Sequence, residues 1–346
     1  MYRFACDYQE GCHPRILKAL TQTNFEQTVG YGCDPYCEKA REILRRAANA
    51  PDADVHFLVG GTQSNTTVIA ALLRPHQGVL SAETGHINAH ETGAIESTGH
   101  KVLTLPSVDG KITAKQVEEY VNAHYADGSH EHIVQPGMVY ISHPTENGTL
   151  YTKQELFDLS RVCRAYHLPL FMDGARLAYA LAAGGNDLSF EDIAAKCDIV
   201  SVGGTKCGAL FGEAVMIFRP QYKADFRYLI KQRGGMLAKG RLLGIQFLTL
   251  FSDGLYTEIA EKADRQADKI RDALRKSGFP LLYETTANQI FVTLPNTILD
   301  FLNQKYAFET WGKPDADNTT IRICTSWATE EEAVRELIDS IKAAGV

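Results

Sequence analysis

Short apolar runs rich in Val, Ile and Phe alternate with longer helical patterns through the first two thirds of the chain. Six runs are candidate strands: Val55–Val59, Gly78–Ser81, Met138–Ser142, Leu168–Met172, Ile199–Val202 and Ala214–Phe218. This alternation favours a mostly parallel sheet with helices on both faces. Such sheets bind ligands at the carboxyl ends of their strands, so the residues that follow each run are candidate site residues.

Helix starts between these runs carry capping signals. Three pairs place a hydroxyl residue three positions before an acceptor: Thr113 with Gln116, Thr152 with Glu155 and, as a looser version, Ser189 with Asp192. The second pair opens a helix predicted over 152–167, because apolar residues recur on one face at Leu156, Leu159 and Val162. A further helix, Asn65–Leu73, is predicted after the first candidate strand.

The pattern changes near Ser252. A long charged helix is predicted at Tyr256–Ser277. Three candidate strands follow, at Leu281–Glu284, Gln289–Leu294 and Thr320–Thr325. A terminal helix then begins with a capping box from Thr329 to Glu332. We therefore predict a large domain with an N-terminal arm over residues 1–250 and a small α+β domain over 251–346. The boundary falls in a helix expected near 235–255, because no Pro/Gly-rich linker marks it.

Charge and composition exclude several classes of protein. The chain has 35 Lys and Arg against 42 Asp and Glu, a net charge of −7 without a basic block, which argues against nucleic acid or an anionic membrane as partner. The apolar runs are far shorter than the ~18 residues of a membrane span, and the charged amino terminus is not that of a signal peptide. The eight cysteines form no C-x-x-C pair, so we expect reduced thiols, a cytoplasmic location and no metal site.

A glycine pair follows the first candidate strand, in the segment Gly60-Gly61-Thr62-Gln63-Ser64. Bare backbone N–H groups at a helix start, together with the positive end of the helix dipole, form an anion cradle. The segment lacks the Lys of a Walker loop and the third Gly of a dinucleotide fingerprint. A plain strand-to-helix turn is the alternative.

Charged residues follow two later strands. Asp173 comes directly after a buried-looking strand, where a carboxylate needs a cation, and Arg176 lies three residues on. The alternative is an ion pair between these two residues that closes the turn. Lys206 lies among Gly203, Gly204 and Gly208, and an amine in such an enclosed site has a lowered pKa and attacks carbonyls. The alternative is an exposed loop lysine.

The segment after the second strand, residues 83–91, carries His86, His90 and Glu91. His86 is a candidate aromatic platform or acid–base group, and the roles of the other two are ambiguous. Taken together, an anion cradle, a flat ring, a buried Asp and a Schiff-base Lys describe a pocket for pyridoxal 5′-phosphate.

With these motifs the chain resembles the low-specificity L-threonine aldolases, among the fold-type I pyridoxal phosphate enzymes. The matching segments are Phe4–Tyr8, His13-Pro14, Gly30–Pro35, Gly61–Asn65, Asp173–Leu177, Gly204–Lys206 and Ile321–Ile323. The resemblance implies an α/β transferase-like fold, with a mostly parallel seven-stranded sheet in the large domain. It also implies a homodimer or homotetramer with active sites at the subunit interface. The implied reaction is the cleavage of L-threonine or L-allo-threonine to glycine and an aldehyde.

Residue roles follow from the same resemblance. It implies that Lys206 carries the cofactor, Asp173 contacts the pyridine nitrogen and His86 stacks on the ring. Further implied contacts are to the phosphate from Gly61, Thr62 and Gln63, to the substrate carboxylate from Arg176 and Arg322, and to the neighbouring subunit's phosphate from Lys231 or Lys239. Tyr31 is expected at the subunit boundary, and Cys6 stands where the family has a carboxylate-binding Ser.

The sequence does not decide which residue is the base that accepts the β-hydroxyl proton. Candidates are His86, His90 and Glu146, and His143 is a further possibility in the loop where the family often has a His.

Three other functions remain alternatives. The first is a β-eliminating lyase, transaminase or racemase that uses the same cofactor but breaks Cα–H, with Lys206 as base. The second is a binding or regulatory protein on this fold, and the third is a nucleotide-binding α/β protein that uses the 60–65 glycines.

Overall fold

The computed structural model describes residues 1–344. In chain order its strands are β1 (Tyr2–Arg3), β2 (Asp54–Leu58), β3 (Gln77–Ala82), β4 (Val102–Leu105), β5 (Gln135–Ser142), β6 (Leu170–Gly174), β7 (Ile199–Gly203), β8 (Glu213–Ile217), β9 (Gln289–Pro295), β10 (Tyr306–Ala307), β11 (Glu309–Thr310) and β12 (Asn318–Cys324). Its α-helices are α1 (Pro14–Gln22), α2 (Pro35–Ala47), α3 (Gly61–Leu72), α4 (His86–Ala89), α5 (Ala114–Ala126), α6 (Lys153–Ala165), α7 (Leu177–Ala182), α8 (Phe190–Lys196), α9 (Phe226–Gln232), α10 (Arg241–Phe251), α11 (Leu255–Lys276), α12 (Asn296–Leu302) and α13 (Glu331–Ala344). Short 3₁₀ turns lie at Glu96–Thr98, His130–His132 and Pro220–Tyr222.

The large domain is built on a seven-stranded sheet in the order β2-β8-β7-β6-β5-β3-β4. Strand β8 is antiparallel to both neighbours, and the other adjacent pairs are parallel. Both faces are covered: in β5, Met138 and Tyr140 join the core on one face, and Val139 and Ile141 join the core on the other. The predicted fold class is confirmed, and all six candidate strands of the large domain are present.

The seventh strand, β4, was missing from the sequence-based prediction. It has four residues, lies at the sheet edge and pairs only with β3. Its Thr104 is exposed, whereas the three residues around it are buried. The polar, exposed Thr104 interrupts this run, so it does not stand out as a continuous apolar strand.

Several predicted boundaries shift. Helix α3 begins at Gly61 rather than Asn65, which moves the glycine-rich segment into its first turn. The three capping pairs at Thr113, Thr152 and Ser189 are present. At the last helix, however, the Thr329 hydroxyl accepts the Ser326 N–H, and α13 begins at Glu331.

The strand predicted at Leu281–Glu284 is wrong. This segment makes only an isolated bridge between Leu281 and Val292. Pro280 precedes it and has no N–H to extend a ladder, and Leu282 is exposed.

The C-terminal region has an antiparallel sheet in the order β11-β12-β9, and helices α11 and α13 pack with it around a separate core. Phe4 of the N-terminal arm lies in this core. Helix α11 contributes to both cores, with Ile259 in the large one and Ile270 in the small one. The division at residue 250 stays a prediction.

Within residues 1–344, no helix is both long and apolar enough to cross a bilayer.

The ends of β6 and β7 approach too closely for a side chain at Gly203. A Cβ there would lie 2.2 Å from the Ala175 carbonyl oxygen and 2.7 Å from that of Gly174. We predict that Gly203→Ala lowers the free energy of unfolding by about 2 kcal/mol or more, because backbone atoms must move. Gly184→Ala, which meets nothing within 4 Å, is the control. Urea denaturation of both variants measures the difference, and equal stabilities would contradict the prediction.

Candidate active site

A cleft of about 320 Å³ opens where β6 and β7 end and α3 begins. Its volume is in the range of small-molecule sites. Seven residues singled out in the sequence line it: Gly61, Thr62, His86, Glu146, Asp173, Arg176 and Lys206. Five separate chain segments therefore meet at one place, as expected for residues that follow the carboxyl ends of parallel strands.

The amino terminus of α3 forms one wall of the cleft. Its N-cap, Gly60, gives no side-chain hydrogen bond, and a Cβ on Gly60 or Gly61 would meet no atom within 4 Å. The first N–H groups of the helix thus face open space and are free for an anion. The Gln63 side chain points elsewhere: its amide donates to the Arg233 carbonyl (3.1 Å) and accepts from the Val59 N–H (3.2 Å).

Asp173 is buried at the end of β6 and is held by three donors. Its carboxylate accepts from the Tyr140 hydroxyl (2.8 Å), the Asn65 amide (3.0 Å) and the Ala175 N–H (3.0 Å). These bonds fix its orientation and leave room for a further donor, since a carboxylate offers about four acceptor positions.

The alternative of an ion pair between Asp173 and Arg176 is wrong. Arg176 pairs with Asp7 of the N-terminal arm, through Nε at 2.6 Å and Nη2 at 3.0 Å. Asn288 also donates to Asp7, at 2.9 Å. Burial alone would raise the pKa of Asp7, but the Arg176 guanidinium lowers it below its usual value. Of the three guanidinium nitrogens of Arg176, Nη1 alone has no hydrogen-bond partner within residues 1–344. It is therefore free for a ligand.

Lys206 follows β7 and lies half-buried in the cleft. Within the described chain, no carboxylate oxygen lies within 4.0 Å of its Nζ, and the ring of Tyr8 is 5.9 Å away. Burial lowers the pKa of Lys206, and the nearby Arg176 guanidinium lowers it further. A lowered pKa makes the neutral, nucleophilic amine more accessible than it is in an exposed loop lysine.

His86 and Glu146 meet at the opposite wall. The backbone N–H of His86 donates to Glu146 Oε1 at 2.9 Å, and the Ser142 hydroxyl donates to the same oxygen at 2.6 Å. Burial raises the pKa of Glu146. The ring of His90 lies 5.6 Å from that of His86 but does not line the cleft.

His143 is fully buried and does not line the cleft. Burial lowers its pKa to about 4. The Tyr151 N–H donates to its Nδ1 at 3.4 Å. The structure therefore does not favour His143 as the base.

Other predicted residues lie outside the cleft. They are Cys6, Tyr31, Lys231, Lys239 and Arg322. Arg322 donates to the Ala5 carbonyl at 3.2 Å and to Glu309, and it stacks on Trp311. Lys231 Nζ lies 5.0 Å from the Tyr31 ring, on another part of the surface. The roles expected for these residues stay predictions.

Comparison with known proteins agrees with this geometry. The sequence profile of the β-eliminating lyases matches residues 4–297. The chain belongs to the β-eliminating lyase family. It is 32% identical to a low-specificity L-threonine aldolase from a Pseudomonas strain, over 99% of this chain and 97% of that protein. The predicted resemblance is thereby confirmed, and the protein is a lyase.

Solved structures extend the comparison. A threonine aldolase from Leishmania major superposes with a TM-score of 0.97, at 43% identity over the whole of both chains. An aspartate aminotransferase variant from Thermus thermophilus superposes with a TM-score of 0.74 over 99% of this chain and 91% of that one. Its identity is 15%, so it shows the fold alone.

Pyridoxal phosphate is the cofactor of this lyase family, and the cleft fits it. The open N–H groups at Gly61 and Thr62 suit the phosphate, and Asp173 has an acceptor position left for the pyridine N–H. Lys206 offers an amine with a lowered pKa for the aldehyde. The predicted cofactor therefore agrees with both the family and the residues present.

Some residues of the site were missed in the sequence. The clearest are Tyr140, Asn65, Asp7 and Glu213. Strand register could have found Tyr140, because Ser142 pairs with Asp173 across β5 and β6, and Tyr140 lies two residues earlier on the same face. Asp7 and Asn65 lay within matched segments without a stated role.

Glu213 lines the cleft at the start of β8. Its Oε2 accepts the Gly204 N–H at 3.0 Å, and burial raises its pKa to about 7. The unfolded chain, with a Glu pKa near 4.3, loses this proton earlier. The folded state thus holds more protons between about pH 4.3 and 7, so Glu213 makes folding less favourable as pH rises through that window.

We predict that Glu213→Gln removes this dependence. The quantity compared is the free energy of unfolding of the cofactor-free variant minus that of the cofactor-free wild type. This difference should rise on the order of 2 kcal/mol between pH 5 and pH 7.5. Urea denaturation at both pH values measures it. Exposed Glu118→Gln is the matched control, and the same relative stability of Glu213→Gln at both pH values would contradict the assignment.

Proposed function

We propose that this protein cleaves L-threonine and L-allo-threonine to glycine and acetaldehyde, with pyridoxal phosphate as cofactor. The observation that carries the proposal is one cleft that joins a half-buried lysine without a salt-bridge partner among the described residues, an aspartate held by three donors and a helix terminus without a side-chain cap. The relatives named as threonine aldolases support this choice of substrate.

Pyridoxal phosphate, when bound, supplies an electron sink for the electron pair released at Cα. Asp173 would accept the pyridine N–H and so keep the ring protonated. The first N–H groups of α3 would hold the phosphate. Lys206 would provide the amine that carries the cofactor between turnovers.

The guanidinium groups would orient the substrate. Arg176 presents Nη1 to the cleft, held in place by Asp7, and Arg322 would approach from the small domain. A fixed carboxylate determines which bond at Cα stands perpendicular to the cofactor ring. If that bond is Cα–Cβ, cleavage needs a base at the β-hydroxyl, and His86 and Glu146 line the cleft where they could accept its proton.

The alternative on the same cofactor is cleavage of Cα–H, with Lys206 as base. The match to the sequence profile of the β-eliminating lyases supports this alternative. Product analysis separates the two reactions, because glycine and acetaldehyde indicate the aldolase, whereas an oxo acid and ammonia indicate elimination.

We further propose a homodimer or homotetramer in the cytoplasm. Large apolar side chains are exposed near one another along the chain, with Phe25 at 94%, Val29 at 66% and Tyr31 at 48%. Such exposure is typical of an interaction surface. The eight cysteines form no disulfide, in keeping with a reducing compartment. Lys231 and Lys239 would then reach a neighbouring subunit's phosphate.

Lys206→Ala should abolish turnover, because no other amine in the cleft can carry the aldehyde. Acetaldehyde release, measured with a coupled dehydrogenase, should fall by at least about 10³-fold. Borohydride reduction of the wild-type holoenzyme should label the peptide that contains Lys206. Exposed Lys115→Ala is the control, and a label on another lysine would contradict the assignment.

Arg322→Ala should raise KM for L-threonine about tenfold or more, because a charge-assisted contact to the carboxylate is lost. Steady-state kinetics measure this effect. Exposed Arg335→Ala is the control. An unchanged KM would leave Arg176 as the carboxylate ligand and remove Arg322 from the site.

A further inference from the structure

Glu91 is a buried carboxylate directly behind the cleft. Its side chain has no exposed surface, and its Oε1 lies 2.7 Å from His86 Nδ1. Within residues 1–344, no Lys or Arg nitrogen lies within 4.0 Å of Glu91, so His86 is the basic group in contact with it. A buried carboxylate needs hydrogen-bond donors, and the His86 ring is placed to supply one.

This contact determines how the imidazole faces the cleft. A carboxylate at this distance is a hydrogen-bond acceptor, and this assigns the N–H of the neutral ring to Nδ1, as the donor to Glu91. The other ring nitrogen, Nε2, has no protein hydrogen bond among the described residues. His86 is 32% exposed and lines the cleft. Its Nε2 is therefore available as an acceptor.

Asn65 fixes the position of Glu91. Its amide nitrogen donates to Glu91 Oε1 at 2.7 Å and to Asp173 Oδ2 at 3.0 Å. A side-chain amide has two N–H groups, and here each serves one carboxylate. The orientation of His86 is thus linked to that of Asp173 through one amide group.

We propose that Glu91 is a positioning residue that makes His86 Nε2 the acceptor of the β-hydroxyl proton. The inference rests on the proposed aldol cleavage. The proton passes from the β-oxygen to Nε2, and the O–H electrons form the aldehyde C=O bond. The electron pair of the broken Cα–Cβ bond stays on Cα. Glu91 stabilises the cationic imidazole that results, as a carboxylate does for a catalytic histidine in hydrolases.

Two substitutions separate charge from contact. Glu91→Gln keeps an oxygen where the His86 and Asn65 donors converge and removes the negative charge. Glu91→Leu removes both. Glu96→Gln changes an exposed carboxylate five residues further along the chain and is the matched control. In the holoenzyme, kcat and KM for L-threonine and the bound cofactor are measured. The rate at which diethyl pyrocarbonate acylates His86 is followed by peptide mass spectrometry.

For Glu91→Gln we expect kcat to fall at least about tenfold, the low end for a lost general base, with KM and cofactor content unchanged. Acylation of His86 should slow in Glu91→Gln and in Glu91→Leu, but not in Glu96→Gln.

A kcat equal to that of the control would overturn the proposal. So would a reduced kcat with an unchanged acylation rate, because Glu91 would then act only on stability. If the wild-type enzyme releases no glycine, the proposed function fails, while the acylation rates still test whether Glu91 controls His86.

Discussion

The buried carboxylate of Asp173 is the interaction on which the rest of the site depends. It lies at the end of the central strand β6, and each of its three donors comes from a different place: β5, helix α3 and the turn after β6 itself. A charge in this position is tolerated because every one of these donors is aimed at it. Sheet register, the start of α3 and the turn after β6 are thereby brought into one arrangement.

Acidic groups outnumber basic groups around the cleft, and this imbalance controls the protonation of its residues. Asp173, Glu146 and Glu213 line it together with Lys206 and Arg176. Asp7 already pairs with Arg176, so that cation does little to stabilise the other carboxylates. Burial without a matching cation raises the pKa of Glu146 and of Glu213. These two carboxyl groups therefore hold their protons to a higher pH than exposed glutamates do.

Much of the fold could be predicted from the sequence, because buried parallel strands appear as continuous apolar runs. The edge strand β4 could not, since the polar Thr104 interrupts its apolar run. In the site, Asp173 and Lys206 were recognisable by position, each directly after such a run. The partner of Arg176 was not, because Asp7 is 169 residues away and nothing local indicates the contact. Likewise, Glu91 stood in a noted segment, but its burial depends on packing that no short pattern encodes.

Helix α11 is one continuous element of 22 residues, and the two cores share it. Because α11 is shared by both cores, a hinge within this helix is unfavourable. Bending it would break backbone hydrogen bonds in the middle of the helix. The proposed approach of Arg322 to a substrate would then need rotation about the helix or shifts in the sheet of β9, β11 and β12. Tyr8 of the N-terminal arm lines the cleft and is 53% exposed, so a small displacement of this arm would change the access of a ligand without bending α11.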